Sequence, residues 1–229
     1  DNTDYVKISI KLAESIKRHN RENKICVITD EKSKFQSDHV DMVKVLSQDA
    51  SAEHDMKWAN EYKAFALSPF THTIKLEADM LFTHNTDWWW NFLWQRDQVF
   101  SYDCRNYKDT IVKDSFYRKL FARNNLPNVY NGLHYFRRSI KAKQFYDICE
   151  TIIKDWKTVK EKVLVNCHDI QPTTDVVYAL ANKIQDPLQK CKVDYEWFKF
   201  MHNKKHVNGI GQQFDNDNYL YPLKVDQKL

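Results

Sequence analysis

Three glycines in 229 residues set the tightest limit on what this chain can build. Gly132 stands alone in the body of the sequence, and Gly209 and Gly211 lie near its end. An ordinary protein carries about 7% glycine, so backbone turns that need this residue are almost excluded. A P-loop or a G-x-G-x-x-G fingerprint requires several glycines at close, fixed spacing. Neither is present. A phosphate-bearing ligand therefore has to be held by a metal ion or by basic side chains.

What remains is an alternation of helical and extended patterns. In "NTDYVKISIKLAESIKRHN" the apolar residues Tyr5, Ile8, Leu12 and Ile16 recur at helical spacing, with Asn2 to Asp4 as capping candidates. "KICVITD" predicts a buried strand over Lys24 to Thr29. "MKWANEYKAFALSPF" predicts a helix that stops before Pro69, and "HTIKLEAD" a second strand. Further strands are predicted at "QVFSYD" (98–103), "NVYNGLHYF" (128–136) and "YEWFKFMH" (195–202). Helices are predicted near Asp114 to Asn124, from about Ile140 to Trp156, and from about Thr173 to Lys183. Strands alternating with helices predict an α/β fold with a mainly parallel sheet. The length suits a single domain, and 42% hydrophobic residues suffice for a sizeable core.

The net charge of +4 is compatible with phosphate-bearing partners. No apolar run approaches a membrane span. Five cysteines, Cys26, Cys104, Cys149, Cys167 and Cys191, show no paired spacing, which predicts reduced thiols and a cytoplasmic setting. Cys167 adjoins His168 and Asp169, but neighbours in sequence rarely converge on one reaction centre, and an ordinary loop is the expectation.

The segment "IKLEADMLFTH" carries the most chemistry. Residues i and i+2 of a strand point the same way, so Glu77 and Asp79 are expected to face one point at a strand's carboxyl end. Ligands of open α/β sheets bind there. Two adjacent carboxylates repel, and a hard divalent cation, Mg²⁺ or Mn²⁺, removes the conflict. Capping of a following turn by one acid and solvation of the other is the plainer alternative.

The flanks extend this reading. "LSPFTHTIKLEADMLF" resembles the segment "LSPYDxxLYLDADML" of GT-A-fold glycosyltransferases, the glycogenin-like group and related viral enzymes. "VYNGLHYFRRS" resembles their "FNAGVxxF" strand, "PTTDVVYALA" their "DQDxLN" helix start, and "FKFMHNKKHVNG" their late H-x-K segment. The resemblance runs over roughly residues 4–210 in the family's order. It implies a GT-A-type, Rossmann-like, mainly parallel sheet flanked by helices, a single domain over 1–229, and a first strand lying upstream of Asp1. It also implies a metal-dependent transfer of a hexose or pentose from a nucleoside-diphosphate sugar, most simply a UDP-sugar.

Residue by residue, the resemblance makes Asp79 the direct metal ligand. Glu77, where the family normally has Asp, faces the ribose or the metal's water. His202 becomes the third ligand, with His206 as a rival, and Lys204 the cation that neutralises the diphosphate, with Lys205 as a substitute. Lys63 and Asp30 fall near the nucleotide. Asn131 and Gly132 fall where donor sugar and acceptor meet, and Asp175 orients a sugar hydroxyl, serves as general base, or caps its helix. The expected cofactor is Mn²⁺ or Mg²⁺.

The acceptor rests on "DWWWNFLW". Three successive tryptophans spread over about 200° of a helix, so Trp88, Trp89 and Trp90 cannot all enter one core, and an exposed one can stack on a sugar or an extruded base. Arg118, Lys119 and Arg123, interleaved with Phe116, Tyr117 and Phe121, suggest a phosphate-facing surface or simply a solvated helix. Bacteriophage-encoded members of the resembled family point to a hydroxymethylated or sugar-modified DNA base, with action in the host cytoplasm. A nucleotidyltransferase and a non-catalytic sugar- or DNA-binding domain are the alternatives.

Overall fold

The computed structural model describes residues 4–31, 33–51, 58–106, 109–111, 118–188 and 193–202. Helix α1 spans Tyr5–His19. Its first turn is closed by the Asp4 carboxylate, which accepts a hydrogen bond from the Lys7 N–H at 3.0 Å. Its last turn carries Lys17, Arg18 and His19, which complement the negative end of the helix dipole. Strand β1 (Cys26–Thr29) runs parallel to β2 (Met42–Val45). Short helical turns, Glu61–Lys63 and Ala64–Leu67, lead to β3 (His72–Leu76). Two aromatic turns, Asp87–Trp89 and Trp90–Leu93, precede β4 (Gln98–Tyr102). A short turn at Lys119–Arg123 leads to β5 (Val129–Arg137). Helices α2 (Ile140–Lys154) and α3 (Thr174–Gln185) follow, separated by turns at Trp156–Thr158 and Val159–Val163.

The expectation of one mainly parallel, Rossmann-like sheet is overturned. The strands form two sheets, a parallel pair β1-β2 and a three-stranded sheet β3-β5-β4. In the larger sheet β5 lies centrally and runs antiparallel to both neighbours. The apolar runs correctly mark where strands lie, but such a run fits either direction. Strand β5 is buried from Val129 to Phe136 because it separates two cores. One contains Phe136, Phe145, Tyr146 and Tyr178 beneath α2 and α3. The other contains Leu133 and Tyr135 with Trp89, Leu93, Val99 and Phe198. The predicted strand at 195–202 is also corrected. Its residues form one turn, closed by the Phe198 N–H donating to the Tyr195 carbonyl at 3.0 Å, and an irregular stretch joined to Arg105 by an isolated bridge at Met201.

His134, on β5, is entirely buried and stacks on Phe100 with ring centres 4.3 Å apart. Burial, then the nearby Lys75 charge, holds its imidazole well below the usual histidine range. His72 is lowered in the same direction by its own burial and by Arg137. The folded chain thus binds fewer protons than the unfolded chain below the free-histidine value, near pH 6.5. This contribution to stability is complete above that pH and declines as pH falls beneath it, by up to about 1.4 kcal/mol per pH unit for the fully buried His134. Urea unfolding at pH 7.5 and 5.5 is expected to show this loss, and His134→Phe to reduce it. An unchanged pH slope in the variant contradicts the assignment.

Candidate functional site

Strand β3 stops at Leu76, one residue before the first acid. The Glu77 N–H still donates to the Gly132 carbonyl at 3.1 Å, which continues the ladder one step beyond the Leu76–Leu133 pair. Ala78 and Asp79 then form a turn, and Asp79 is exposed. The acid pair therefore straddles a strand end and does not lie on one strand face. Glu77 is half-buried, and its Oε1 accepts a hydrogen bond from Asn131 Nδ2 at 3.1 Å.

Gly132 explains why this carboxylate can sit where it does. A Cβ at position 132 would lie 3.3 Å from Glu77 Oε2 and 3.2 Å from the Phe200 ring. A side chain there would press on both neighbours, so the bare backbone keeps a small cradle open beside the carboxylate.

The cradle lies at a break in the sheet. Between β4 and β5 the register changes from Phe100 opposite His134 to Ser101 opposite Tyr130. Residues 131–133 are consequently extra on the β5 side. The Asn131 N–H, released from β4, donates instead to Asp175 Oδ1 at 2.7 Å. Bulges of this kind re-aim side chains and are common beside active sites. The Asn131 side chain is completely buried and fixed at both ends, since its amide nitrogen donates to Glu77 and its Oδ1 accepts from the Lys75 ammonium. Lys75 in turn lies 2.7 Å from Glu61 Oε2.

Asp175, in the first turn of α3, supports the bulge from behind. Its second oxygen accepts from Arg118 Nη2 at 2.9 Å. Arg118 is fully buried, donates to the Val129 carbonyl at 2.9 Å, and lies with its guanidinium carbon 3.6 Å from the Tyr130 ring centre. A cation that is desolvated, paired and stacked in this way is costly to disturb. Thr173 is the residue at the helix cap, so Asp175 is not the cap. With one oxygen on a strand N–H and the other on a buried arginine, its carboxylate holds the bulge in place. That geometry gives Asp175 a positioning role at the bulge.

The other expected site residues separate. Asp30 Oδ1 accepts from the Ser33 N–H at 2.7 Å and closes the turn after β1. Lys63 donates to the Gln48 carbonyl and lies 5.8 Å from the Tyr62 ring centre. Neither is joined to the Glu77–Asn131 network by a contact among the described residues. His202 is buried, its N–H donates to the Arg105 carbonyl at 2.9 Å, and its ring lies 5.4 Å from Tyr130 and 5.6 Å from Phe200. It belongs to the aromatic layer behind Gly132. Among the described residues no three His, Cys, Asp or Glu side chains converge to hold a metal ion. The expected clasp of Glu77, Asp79 and His202 is thus not preformed. Lys204, Lys205 and His206 lie outside the described residues.

Lys75 and Glu61 escaped the sequence reading, and Arg118, expected on a phosphate-facing surface or a solvated helix, is instead fully buried. A lysine within the apolar run "TIKL" was a signal, because a half-buried ammonium on a strand needs a partner. Arg118 gave a fainter one, an arginine set among aromatic residues. The tryptophans divide as their helical spread required, with Trp89 5% exposed and Trp88 41% exposed. Cys104 is buried, and burial pushes its thiol up to about 12, so it is unreactive at neutral pH. Among the described residues no helix is long and apolar enough to cross a membrane. No protein-family model matches the chain, and no curated protein matches it either.

Proposed function

We propose that this chain is a metal-dependent glycosyltransferase that moves a hexose or pentose from a nucleoside-diphosphate sugar, a UDP-sugar in the simplest case. The observation that carries the reading is the meeting of Glu77, Asn131 and Gly132 at the β5 bulge, supported by Asp175. These residues come from three separate stretches of sequence, and each stretch has the wording of a glycosyltransferase motif.

The residues present fit Mg²⁺ or Mn²⁺. Glu77 and Asp79 supply hard oxygen donors, and Asn131 Nδ2 fixes the orientation of the Glu77 carboxylate. Such ions commonly take one or two carboxylates and complete their coordination with water and substrate phosphate, so a three-residue protein cage is not required. In this reading the donors are Glu77 and Asp79, and His202 packs behind them. An ion held by Glu77 and Asp79 would supply positive charge to offset that on a departing nucleoside diphosphate. Asn131 holds the Glu77 carboxylate, Gly132 lets the sugar approach the backbone, and Arg118 with Asp175 fixes the bulge. Lys204 adds a positive charge by resemblance alone. Transfer with retention needs no side chain to deprotonate the acceptor, which suits a site where Asp175 is committed to holding. The acceptor in this proposal is a hydroxymethylated or sugar-modified DNA base, approached by way of the exposed Trp88, and the enzyme acts in the cytoplasm.

The test is thermal unfolding with UDP-, GDP- and dTDP-sugars, with and without Mn²⁺. A cognate pair at about a hundred times its Kd adds about 2.7 kcal/mol and raises Tm by about 5–10 °C. Asp79→Asn, at an exposed turn, is expected to fold normally and lose the metal-dependent part of that rise. No rise with any sugar nucleotide defeats the proposal. Release of pyrophosphate in place of a nucleoside diphosphate identifies a nucleotidyltransferase.

A further inference from the structure

A carboxamide can be turned so that its oxygen and its nitrogen exchange places, and the turn of Asn131 decides what Glu77 meets. With Nδ2 toward it, the Glu77 carboxylate accepts a hydrogen bond at 3.1 Å. With Oδ1 toward it, two acceptors would face each other without a proton between them. Asn131 is completely buried, so water does not relieve such a contact. The group at the other end of the carboxamide therefore bears on Glu77 through Asn131.

That group is Lys75. An ammonium has three donors and no acceptor. Only the oxygen of the carboxamide can face it, and Lys75 Nζ donates to Asn131 Oδ1. Lys75 lies on β3, two residues before Glu77. Its ammonium is itself anchored. The Lys75 side chain is only 13% exposed, and Glu61 Oε2 lies 2.7 Å away. Glu61 comes from the short turn Glu61–Lys63, outside the sheet. The ammonium also lies over the Tyr178 ring of α3, 5.6 Å from its centre, where a cation is favoured. Glu61 and Tyr178 thus hold Lys75 independently of Asn131. The dependence runs from these two anchors through Lys75 and Asn131 to Glu77. A plain structural clasp between Glu61 and Lys75 would serve as well with its charges exchanged, or with two apolar side chains in their place. A device that turns a carboxamide would not.

We propose that Lys75, charge-balanced by Glu61, is a positioning residue that turns the Asn131 carboxamide and so aims the Glu77 carboxylate. The catalytic consequence rests on the glycosyltransferase reading, in which Glu77 is a metal donor. Groups that orient a metal ligand from behind typically account for about 10–100-fold in metal affinity.

The test uses the full chain and two paired substitutions. Glu61→Lys with Lys75→Glu keeps the ion pair but puts an acceptor at both ends of the carboxamide, so its oxygen must lie against one of them. Glu61→Leu with Lys75→Met replaces the pair by an apolar contact, which a fold generally tolerates. Lys75→Arg is the conservative control, since a guanidinium also only donates. Asparagine-selective ¹⁵N labelling follows the Asn131 carboxamide protons by NMR, and Mn²⁺ is titrated in the presence of UDP. Both pair variants are expected to keep Tm within about 3 °C of the parent. Their nuclear Overhauser effects from the Asn131 carboxamide to the Glu77 γ-protons are expected to fall by about half or more, and Mn²⁺ affinity by about 10–100-fold. Lys75→Arg is expected to preserve both. Pair variants with unchanged Overhauser effects and unchanged Mn²⁺ affinity reduce Glu61 and Lys75 to a structural clasp and overturn the proposal. So does a Lys75→Arg chain that loses them. A parent chain that binds no Mn²⁺, but whose Overhauser effects respond to the pair variants as described, supports the assignment of Lys75 and overturns the metal reading of Glu77 instead.

Discussion

Arg118→Met is expected to lower the stability of the chain by about 3–5 kcal/mol, the usual cost of removing one member of a buried ion pair. Methionine matches the arginine stem in length, so the loss comes from the charge and not from a cavity. The guanidinium is fully buried, 2.9 Å from Asp175 Oδ2 and 2.9 Å from the Val129 carbonyl. Without it the Asp175 carboxylate loses its buried Arg118 partner in a site from which water is largely excluded. A chain of this size loses about 2–4 °C of Tm per kcal/mol, so the midpoint should fall by about 10 °C. Joining the change to Asp175→Asn removes the stranded charge while keeping an oxygen for the Asn131 N–H. The double variant is expected to recover most of the loss, and urea unfolding of the four proteins in a double-mutant cycle measures the coupling. If each single variant stays within about 1 kcal/mol of the parent, the pair is not holding the bulge.

Gly132→Ala is expected to act on chemistry far more than on stability. The new methyl group would stand 3.2 Å from the Phe200 ring and 3.3 Å from Glu77 Oε2. The carboxylate sits at the end of a flexible side chain and can move aside, which limits the stability cost to about 1 kcal/mol. Moving it breaks its bond to Asn131 and shifts a proposed metal donor by a fraction of an ångström to one ångström. In the proposed mechanism, a displacement of that size lowers sugar transfer by about a hundredfold. Transfer rates and Tm measured on the same preparation separate the two effects. Unchanged transfer would remove the cradle from the mechanism, while a collapse in Tm would make Gly132 a structural glycine.

The contrast between these substitutions shows what could be read from the sequence. The runs "HTIKL", "QVFSY" and "VYNGLHYF" marked three strands closely, because half-buried and buried strands must be apolar in short runs. Their direction was hidden, since the same residues satisfy a parallel or an antiparallel neighbour. The order in which β5 enters between β3 and β4 depends on long-range packing that no local pattern records. The acids Glu77 and Asp79 were found by spacing, yet the strand ends at Leu76 and spacing could not show it. The segment at 195–202 alternates aromatic and charged residues as a strand does. It forms one turn and an irregular stretch instead, with Tyr195 stacked on Trp197, ring centres 4.6 Å apart. Arg118 looked like one of a solvated trio with Lys119 and Arg123. The latter two are exposed, while Arg118 faces Asp175, a residue 57 positions away that no local window contains.

The aromatic stacking of this segment also gives the chain an optical reporter. Trp197 packs 4.9 Å from Trp88 and 5.7 Å from Trp89, on the short segment that also carries Phe200 and His202. Indoles this close couple electronically and quench one another. The ultraviolet dichroism and emission of the folded chain therefore report whether the aromatic wall behind Gly132 is seated, without any added label.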